Sequence, residues 1–523
     1  MSRNEVRTKT GAGVLEDEIR HSPVDRHQAR DRRHALWVAL LILVLILVGW
    51  GISLVRADRP VDYASAEDHF KYGSIGSEPG GTIADAAGGL LPPEPIFEVL
   101  PKICPEKLPG GYASLGFVFE PGHELPIGVS QRFRLGVDQV GLNCAVCHVG
   151  TVRASPAAEP QIVLGMPAHQ LALQDFFRFV LDCTLDERFT ADNVLGQIAA
   201  SGDELGALDR LTYRYLVIPR TREQTLQLQR RLELLMGDRV TEWGRGRVDT
   251  FNPYKGMQFN WRLETLPIAE LTGASDFPSL WNQKPRDGME LHWDGNNTSV
   301  DERNLSASLG AGVTPVTVDH PRLERVRDWI WELPPPQYPF AVDRAEAARG
   351  RAIYAAHCAD CHADHRFRDG VVTGTRVGKV EPLAAVGTDR HRLDSYTAVF
   401  AANQYTLYPD SEYRFTHFRK TNGYANQPLD GIWARAPYLH NGSVPTLRDL
   451  LEPPEARPAR FYRGYDVFDR ERVGFVHDVA AAGGLHFSEH DTSLPGNGNG
   501  GHLWGTELPD ADKDALVEYL KTF

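Results

Sequence analysis

Two short cysteine motifs contain the residues of this sequence best suited to chemistry. They read Cys144-Ala-Val-Cys147-His148 and Cys358-Ala-Asp-Cys361-His362. Two cysteines at this spacing can each form a thioether to a vinyl group of one haem, and the histidine that follows can bind the iron. Both motifs therefore predict covalent attachment of haem c. The alternative is a C-x-x-C redox pair or half of a zinc site, but no third C-x-x-C completes a zinc set.

The sixth ligand of each iron decides what a haem can do, because a filled position favours electron transfer and an open one binds peroxide or dioxygen. For the second motif the candidate is His502, which follows a glycine-rich stretch at 496–501. Glycines permit the tight backbone path that would bring a side chain over a porphyrin face. The alternative is a histidine in a surface loop. No methionine follows Cys358, so a methionine ligand would have to come from the other half of the chain.

No residue stands out as the sixth ligand for the first motif. The candidates are His169, Met166, Met257, Met289 and His292. None is marked by its surroundings, and the simplest interpretation is an open or weakly occupied position at the iron bound by His148.

The other two cysteines, Cys104 and Cys183, lie on either side of the first motif. Outside the cytoplasm they could pair and connect the segment before the motif to the helix after it. Two buried free thiols are the equally weighted alternative.

A membrane anchor is predicted near the N-terminus. Residues 35–55 carry no charge, and 21 residues in a helix extend about 31 Å, enough to cross a bilayer. No small-residue cleavage site is visible, so an uncleaved anchor is favoured over a removed signal peptide. Five arginines precede the span closely, which predicts a cytoplasmic N-terminus and places the remainder in the periplasm.

Length and composition limit the remaining function classes. The chain has 523 residues, of which 42% are hydrophobic and 24% charged, with a formal net charge of -13. These values are typical of a folded protein of two to four domains, and the acidic balance argues against nucleic-acid binding. We predict a disordered cytoplasmic tail at 1–34, an anchor at 35–55 and an extended tether at 56–95.

The helical pattern of the second half is that of a small cytochrome c domain. A helix is predicted to lead into the second motif, with Gly350 and Tyr354 on one face, and Leu516, Tyr519 and Leu520 mark a terminal helix. The glycine would let these two helices cross closely. Prolines between 334 and 339 form a linker. The fold is therefore predicted to be mainly α, with haem domains with long loops at 96–335 and 336–523.

Three further segments resemble one protein superfamily. The stretch ARAPYLHNGSVPTL at 434–447 resembles the A-P-Y-x-H-x-G-S-x-x-T-L signature of bacterial dihaem cytochrome c peroxidases and their relatives. FPSLWN at 277–282 and LHWDG at 291–295 look like two further segments of that superfamily. GLNCAVCH at 141–148 and GHLWG at 501–505 are similar to its rubber-oxygenase-like (RoxA-like) branch.

The resemblance implies roles for individual residues. Trp293 would match the tryptophan between the two haems, which relays electrons, although a core aromatic is the alternative. His440 would match a histidine near the contact of the haem domains, holding a propionate or the local backbone. His502 would match the distal ligand of the second haem, which leaves His148 holding the reactive one.

The resemblance also bears on cofactors and reaction. Peroxidases of this superfamily carry a glutamine and a glutamate after W-D-G, whereas this chain has Asp301, Glu302 and Arg303 there. The resemblance allows calcium between the haem domains, but no loop has EF-hand spacing.

The resulting hypothesis is a membrane-anchored periplasmic dihaem oxidoreductase that uses peroxide or dioxygen at the first haem. Its expected partners are a redox protein or the quinol chain. The alternative is a pure electron-transfer cytochrome with both haems six-coordinate.

Overall fold

The computed structural model describes residues 23–79 and 90–523. The chain forms two compact units, and each is considered by itself. The N-terminal unit comprises residues 1–58 together with 134–136, and the main unit comprises residues 59–133 and 137–523. Helix accounts for 41% and strand for 12%, so the fold is mixed rather than mainly α as predicted.

The helices are distributed along the whole described chain. In order they are α1 (Pro23–Arg56), α2 (Ala66–Tyr72), α3 (Glu94–Ile103), α4 (Leu173–Thr184), α5 (Ala191–Ala200), α6 (Ala207–Thr212), α7 (Ile218–Met236), α8 (Asn252–Phe259), α9 (Val300–Gly310), α10 (His320–Trp331), α11 (Arg344–His357), α12 (Ala359–His362), α13 (Leu383–Val386), α14 (His391–Ser395), α15 (Ala398–Gln404), α16 (Leu447–Leu450) and α17 (Asp510–Leu520). A π-helical turn at Tyr213–Val217 joins α6 to α7.

The strands are short and mostly pair two by two. They are β1 (Asp58–Pro60), β2 (Val129–Arg134), β3 (Val137–Leu142), β4 (Val149–Val152), β5 (Gln161–Leu164), β6 (Arg247–Asp249), β7 (Ala274–Asp276), β8 (Val380–Pro382), β9 (Gly423–Ala425), β10 (Arg460–Arg463), β11 (Phe468–Asp469), β12 (Gly474–Phe475), β13 (Ala481–Ala482), β14 (Leu485–His486) and β15 (Ser488–Asp491). The antiparallel pairs are β4 with β5, β6 with β7, β8 with β9, β10 with β15, β11 with β12 and β13 with β14. These strand pairs lie in segments that were predicted from the sequence to be long loops.

Helix α1 is the one helix in the described part of the N-terminal unit. Its residues 30–49 form a candidate membrane span with no buried side chain, in which 35–49 carry no charge. Such a helix is long enough to cross a bilayer, at about 1.5 Å per residue. It fits a single-pass anchor, and a signal sequence has the same character.

The predicted disordered tail is wrong for residues 23–34, which form the first turns of α1. Extending a helix costs far less than starting one, so the apolar run carries helix into the preceding residues. Pro23 stands at the first position, where the lack of an N–H group costs nothing. Residues 1–22 of the predicted tail lie outside the described residues.

The predicted extended tether is wrong for residues 66–79. Ser65 caps α2 by accepting a hydrogen bond from the backbone N–H of Asp68, and residues 69–79 are buried. The side-chain amide of Asn143 donates to the carbonyls of Lys71 and Gly73, at 3.2 and 3.0 Å. Contacts with residues far along the chain thus fold this segment onto the main unit. Residues 80–89 lie outside the described residues.

The two predicted helices of the second half are confirmed as α11 and α17. They cross at Gly350, where a Cβ atom would come within 1.9 Å of the Ala515 carbonyl oxygen. Tyr354 is buried in the same contact, with its ring centroid 5.4 Å from that of Tyr519. The crossing therefore requires glycine at position 350, and it fixes the end of α11, which leads into Cys358.

The division into two haem domains near residue 335 stays a prediction. Both halves belong to the main unit, and its core clusters contain residues from both sides. One cluster joins Phe251 and Ile330 to Phe400, and another joins Met166 and Trp281 to residues of the second half.

Cys104 and Cys183 form a disulfide bond, so the first of the two alternatives is the one observed. The bond connects the residue after α3 to the last turn of α4. Both sulfurs lie in the buried core of the first half.

Candidate haem sites

The first cysteine motif is held in a tight turn between β3 and β4. Cys144–Val146 forms one turn of 3-10 helix, and Asn143 caps it by accepting a hydrogen bond from the N–H of Ala145 at 2.9 Å. The amide group of the same Asn143 is anchored on the loop after α2. One asparagine therefore fixes the backbone that presents both cysteines.

The His148 ring is oriented by a backbone carbonyl. Its Nδ1 lies 2.8 Å from the Pro278 carbonyl oxygen, so Nδ1 carries the proton and Nε2 is left to bind a metal. Burial, aided by the charge of Arg303, lowers the pKa of His148 to about 4. The imidazole is therefore neutral at physiological pH, which is the form that binds iron.

The first motif opens onto a cavity with about 1740 Å³ of empty space, part of which is open to solvent. Its wall is mainly apolar and includes Cys144, Cys147 and His148, together with aromatic residues such as Phe277, Trp293 and Phe400. A haem is a flat apolar group with two carboxylates, and an apolar wall with a few polar groups suits it. The thiols, the neutral imidazole and the cavity together fit a covalently bound haem.

Two of the five candidate sixth ligands, Met257 and His292, line this cavity. Nδ1 of His292 lies 2.5 Å from Oδ1 of Asn296, and burial lowers the pKa of His292 to about 4. Among the described residues, however, the His148 ring has no imidazole stacked across from it. The sixth ligand of an iron at His148 stays a prediction.

The other three candidates pack elsewhere. His169 stacks on Phe475 with ring centroids 3.6 Å apart, and its Nε2 lies 3.1 Å from the Thr151 carbonyl oxygen. Met166 is fully buried in a core cluster, and Met289 packs beside Gly378.

The second motif follows the last turn of α11 and forms the short helix α12. Nδ1 of His362 lies 2.7 Å from the Gln427 carbonyl oxygen, which repeats the arrangement at His148. Burial lowers the pKa of His362 below its ordinary value. This second imidazole is also neutral, with Nε2 available for iron.

His502 faces His362. Their ring centroids lie 6.2 Å apart with 38° between the ring planes. Two imidazoles on opposite faces of one iron, each with an Fe–N bond of about 2 Å and about 1.1 Å from nitrogen to ring centroid, would be separated by about 6.2 Å. The observed separation therefore fits two axial ligands of one haem.

The loop around His502 holds this histidine in an unusual conformation. His502 has φ +50°, in the left-handed region that non-glycine residues seldom adopt. The backbone N–H of His502 donates to the Val386 carbonyl at 2.8 Å. The carbonyl of His502 accepts a hydrogen bond from the Arg457 guanidinium at 3.3 Å. Burial, aided by the neighbouring His362, lowers the pKa of His502 to about 3. Its buried Nδ1 has no hydrogen-bond partner.

Trp293 connects the two histidines of the motifs through backbone hydrogen bonds. Its indole Nε1 donates to the Asp276 carbonyl at 2.9 Å, two residues before Pro278. Its carbonyl accepts from the N–H of Ala425 at 2.9 Å, two residues before Gln427. Two tripeptides and one tryptophan therefore make a continuous bonded path between His148 and His362.

His440 lies in the buried region beside this path. Its Nε2 is 3.0 Å from the hydroxyl of Tyr424, the two rings stack at 4.2 Å, and its carbonyl accepts from the N–H of Asp276. Burial lowers the pKa of His440 to about 3. These contacts hold local structure near the path.

Three residues that position the sites were not predicted from the sequence: Pro278, Gln427 and Asn143. Pro278 and Gln427 act through backbone carbonyls, which every residue carries, so their identity gives no signal. Asn143 could have been found, since asparagine directly before a turn is a common cap. In the described ranges 23–79 and 90–523, no group of three or more His, Cys, Asp or Glu side chains forms a metal site. Calcium stays a prediction.

Comparison with known proteins gives a class for part of the chain. A family described as RoxA-like, cytochrome c-like matches residues 423–462. This segment includes β9, Gln427 and His440, all described above. The match suggests covalently bound haem c and a c-type haem oxidoreductase, and it supports the resemblance to the RoxA-like branch.

Two relatives of the chain occur in Sinorhizobium fredii (strain NBRC 101917 / NGR234). The protein y4iM is 34% identical over 308 residues, which cover 50% of this chain and 66% of that protein. The protein y4iJ is 27% identical over 515 residues, which cover 79% of this chain and 82% of that protein. Both are described as uncharacterized proteins.

Proposed function

We propose that the chain is a periplasmic dihaem c-type oxidoreductase in which peroxide or dioxygen reacts at the first haem and the second haem transfers electrons. One observation carries the proposal. His502 lies 6.2 Å from His362 between ring centroids, a spacing that would suit two ligands of one iron, whereas His148 opens onto a mainly apolar cavity and, among the described residues, makes no ring contact with another histidine.

A haem c at each motif would supply an iron centre that gains and loses electrons and, where a ligand position is free, binds a small oxidant. His148 would hold its iron beside the cavity, where that oxidant could reach it. His362 and His502 would both bind the iron at the other site. The carbonyls of Pro278 and Gln427 keep the two motif histidines in the metal-binding tautomer.

The path through Trp293 supports exchange of electrons between the sites. Its four hydrogen bonds run from His148 to Pro278, from Asp276 to the indole, from the Trp293 carbonyl to Ala425 and from Gln427 to His362. Each is between 2.7 and 2.9 Å long. Trp293 is the only side chain that the path traverses between the two tripeptides.

The proposed location is the periplasmic side of the inner membrane, with α1 as a single-pass anchor. Arginines before the apolar stretch favour a cytoplasmic N-terminus. The disulfide between Cys104 and Cys183 supports an oxidising compartment. The electron donor would then be a periplasmic redox protein or the quinol chain.

A second candidate function is pure electron transfer with both haems six-coordinate. His292 favours it, because this histidine lines the first cavity and is neutral. A movement of its loop on haem binding could bring its ring over the iron.

Electron paramagnetic resonance of the oxidised protein separates the two functions. The proposal expects one high-spin ferric haem and one low-spin haem in equal amounts. Two low-spin haems in the wild type, with one becoming high-spin in His292→Ala, would establish the second candidate instead.

The ligand of the second haem is tested by His502→Ala, with His486→Ala as control because His486 is an exposed histidine in the same region. His502→Ala is expected to convert the low-spin signal to high-spin, while the control keeps it. Haem content is measured in parallel to show that both variants retain two haems. A low-spin signal that survives in a fully loaded His502→Ala protein contradicts the assignment.

A further inference from the structure

A second cavity adjoins the first-haem cavity. We call it the outer cavity, and it contains about 970 Å³ of empty space, part of which is open to solvent. The two cavities share three wall residues, Asn304, Leu323 and Arg327. Because the same side chains face both spaces, the outer cavity meets the first-haem cavity across this wall.

The outer end of this cavity is open and acidic. Asp301, Glu324 and Glu412 are exposed, and Glu302 makes a fourth carboxylate in the wall. The cations of the wall are Arg327 and Arg414. Four carboxylates against two arginines give a negative potential that repels anions and leaves uncharged molecules unaffected.

Glu302 fixes the side of the opening. Its carboxylate accepts hydrogen bonds from the backbone N–H groups of Thr416 and His417, at 2.6 and 3.0 Å, and lies 2.8 Å from Nδ1 of His417. Glu302 thereby fastens the segment around residue 416 to α9.

Leu323 and Arg327 form the inner end of the outer cavity. Leu323 is 7% exposed and belongs to the apolar core. Arg327 is held by Asp328 at 2.7 Å and lies 3.6 Å from Asp301. On the haem side, Arg303 lines the cavity and bonds to Oδ1 of Asn304 at 3.2 Å. Within the described residues Arg303 has no carboxylate partner. Its guanidinium group therefore lies free of an ion pair on the first-haem side of the wall.

We infer that the outer cavity is the access route to the first haem, and that it admits small uncharged molecules while retarding anions. The inference rests on the proposed function, since a route matters only where an iron position is open. The wall at Leu323 limits the size of what passes, and the carboxylates at the opening set its charge.

The first experiment narrows the wall with Leu323→Trp and measures binding of cyanide, which is uncharged at neutral pH, to the oxidised protein by stopped flow. A blocked route slows association and dissociation alike, at least severalfold, and leaves Kd unchanged. A change in Kd with unchanged association would instead reflect damage at the haem and would overturn the inference. Association at the wild-type rate would overturn it as well.

The second experiment avoids the core and changes only charge. Glu324→Lys with Glu412→Lys is expected to accelerate association of azide, an anion, severalfold at low ionic strength and to leave cyanide unchanged. The control, Glu204→Lys with Asp209→Lys, makes the same change of charge on an exposed surface that lines neither cavity. Equal acceleration in both proteins would overturn the route.

The outcomes distinguish the route from the proposed function. A wild-type protein that binds neither probe lacks an open haem, and this overturns the proposed function and the route with it. A wild-type protein that binds both probes, combined with unaffected variants, overturns the route alone.

Discussion

The two haem motifs have the same spacing and the same support for their histidines, yet they differ in what lies opposite. Nδ1–H of His148 donates to the Pro278 carbonyl, and Nδ1–H of His362 donates to the Gln427 carbonyl. Opposite His362 stands His502, whereas His148 faces a cavity. The pentapeptide therefore specifies attachment, and the remainder of the chain decides whether the iron can bind anything else.

The supporting structure also differs. The first motif lies in a turn between β3 and β4, capped by Asn143. The second begins at the end of α11, whose position depends on the close crossing with α17. One site is held by a polar cap and the other by helix packing, so substitutions should affect the two sites separately.

The largest expected effect comes from removing one cysteine pair at a time. Serine at Cys144 and Cys147, or at Cys358 and Cys361, prevents thioether formation at one motif and should leave one covalent haem instead of two. Mass measurement of the denatured chain gives the count. The variant lacking the first pair should retain a low-spin spectrum, and the variant lacking the second should retain a high-spin one.

Loss of both haems in either variant would contradict the independence of the two sites. Identical spectra in the two variants would contradict the difference between them.

A smaller effect is expected from Gly350→Ala. The added methyl group would meet the Ala515 carbonyl at 1.9 Å, and overpacking of this kind costs about 1–3 kcal/mol. Gly196→Ala in α5 is the matched control, because open space surrounds Gly196 and alanine is favoured in a helix by about 1 kcal/mol. Urea unfolding measures both variants.

The crossing predicts that mild denaturation of Gly350→Ala disrupts the second site first, seen as loss of its low-spin signal while the covalent haem is retained. Loss of both haem signals at the same denaturant concentration would show that the two sites share one cooperative unit.

The smallest effect is expected from Trp293→Phe. Phenylalanine keeps the backbone bond to Ala425 but removes the indole bond to Asp276, so electron exchange between the haems should slow severalfold. Trp281→Phe is the control, since Trp281 is buried and, like Trp293, donates its indole N–H to a backbone carbonyl, that of Leu164, away from the path. Flash photolysis of carbon monoxide from the half-reduced protein measures the rate.

Equal slowing in both tryptophan variants would indicate a general loosening of the core. An unchanged rate in Trp293→Phe would exclude the indole from the path.

Local patterns in the sequence predicted the features that depend on neighbours along the chain. The spacing of Cys144 and Cys147 predicts a haem attachment motif, and the glycine at 350 predicts a close crossing of two helices. The two helices that cross at Gly350 are present as expected. Pairing of Cys104 with Cys183 was one of two alternatives, because sequence alone does not bring α3 and α4 together.

Features that depend on distant contacts could not be predicted in this way. The burial of residues 69–79 depends on Asn143, about 70 positions away. The carbonyls of Pro278 and Gln427 are chemically like all others, and only folding aims them at an imidazole. The outer cavity likewise forms where α9 and α10 meet the segment around residue 416, which lie far apart in the sequence.

The disulfide joins Cys104 and Cys183, which are 79 positions apart, and the first cysteine motif lies inside that loop. If the proposed haem attachment holds, one compartment must oxidise Cys104 and Cys183 during biogenesis while Cys144 and Cys147 remain reduced for the vinyl groups of the haem. A premature bond between the wrong sulfurs would trap the chain before it could be loaded. The order of thiol chemistry, and not only the final fold, is thus part of what this sequence has to encode.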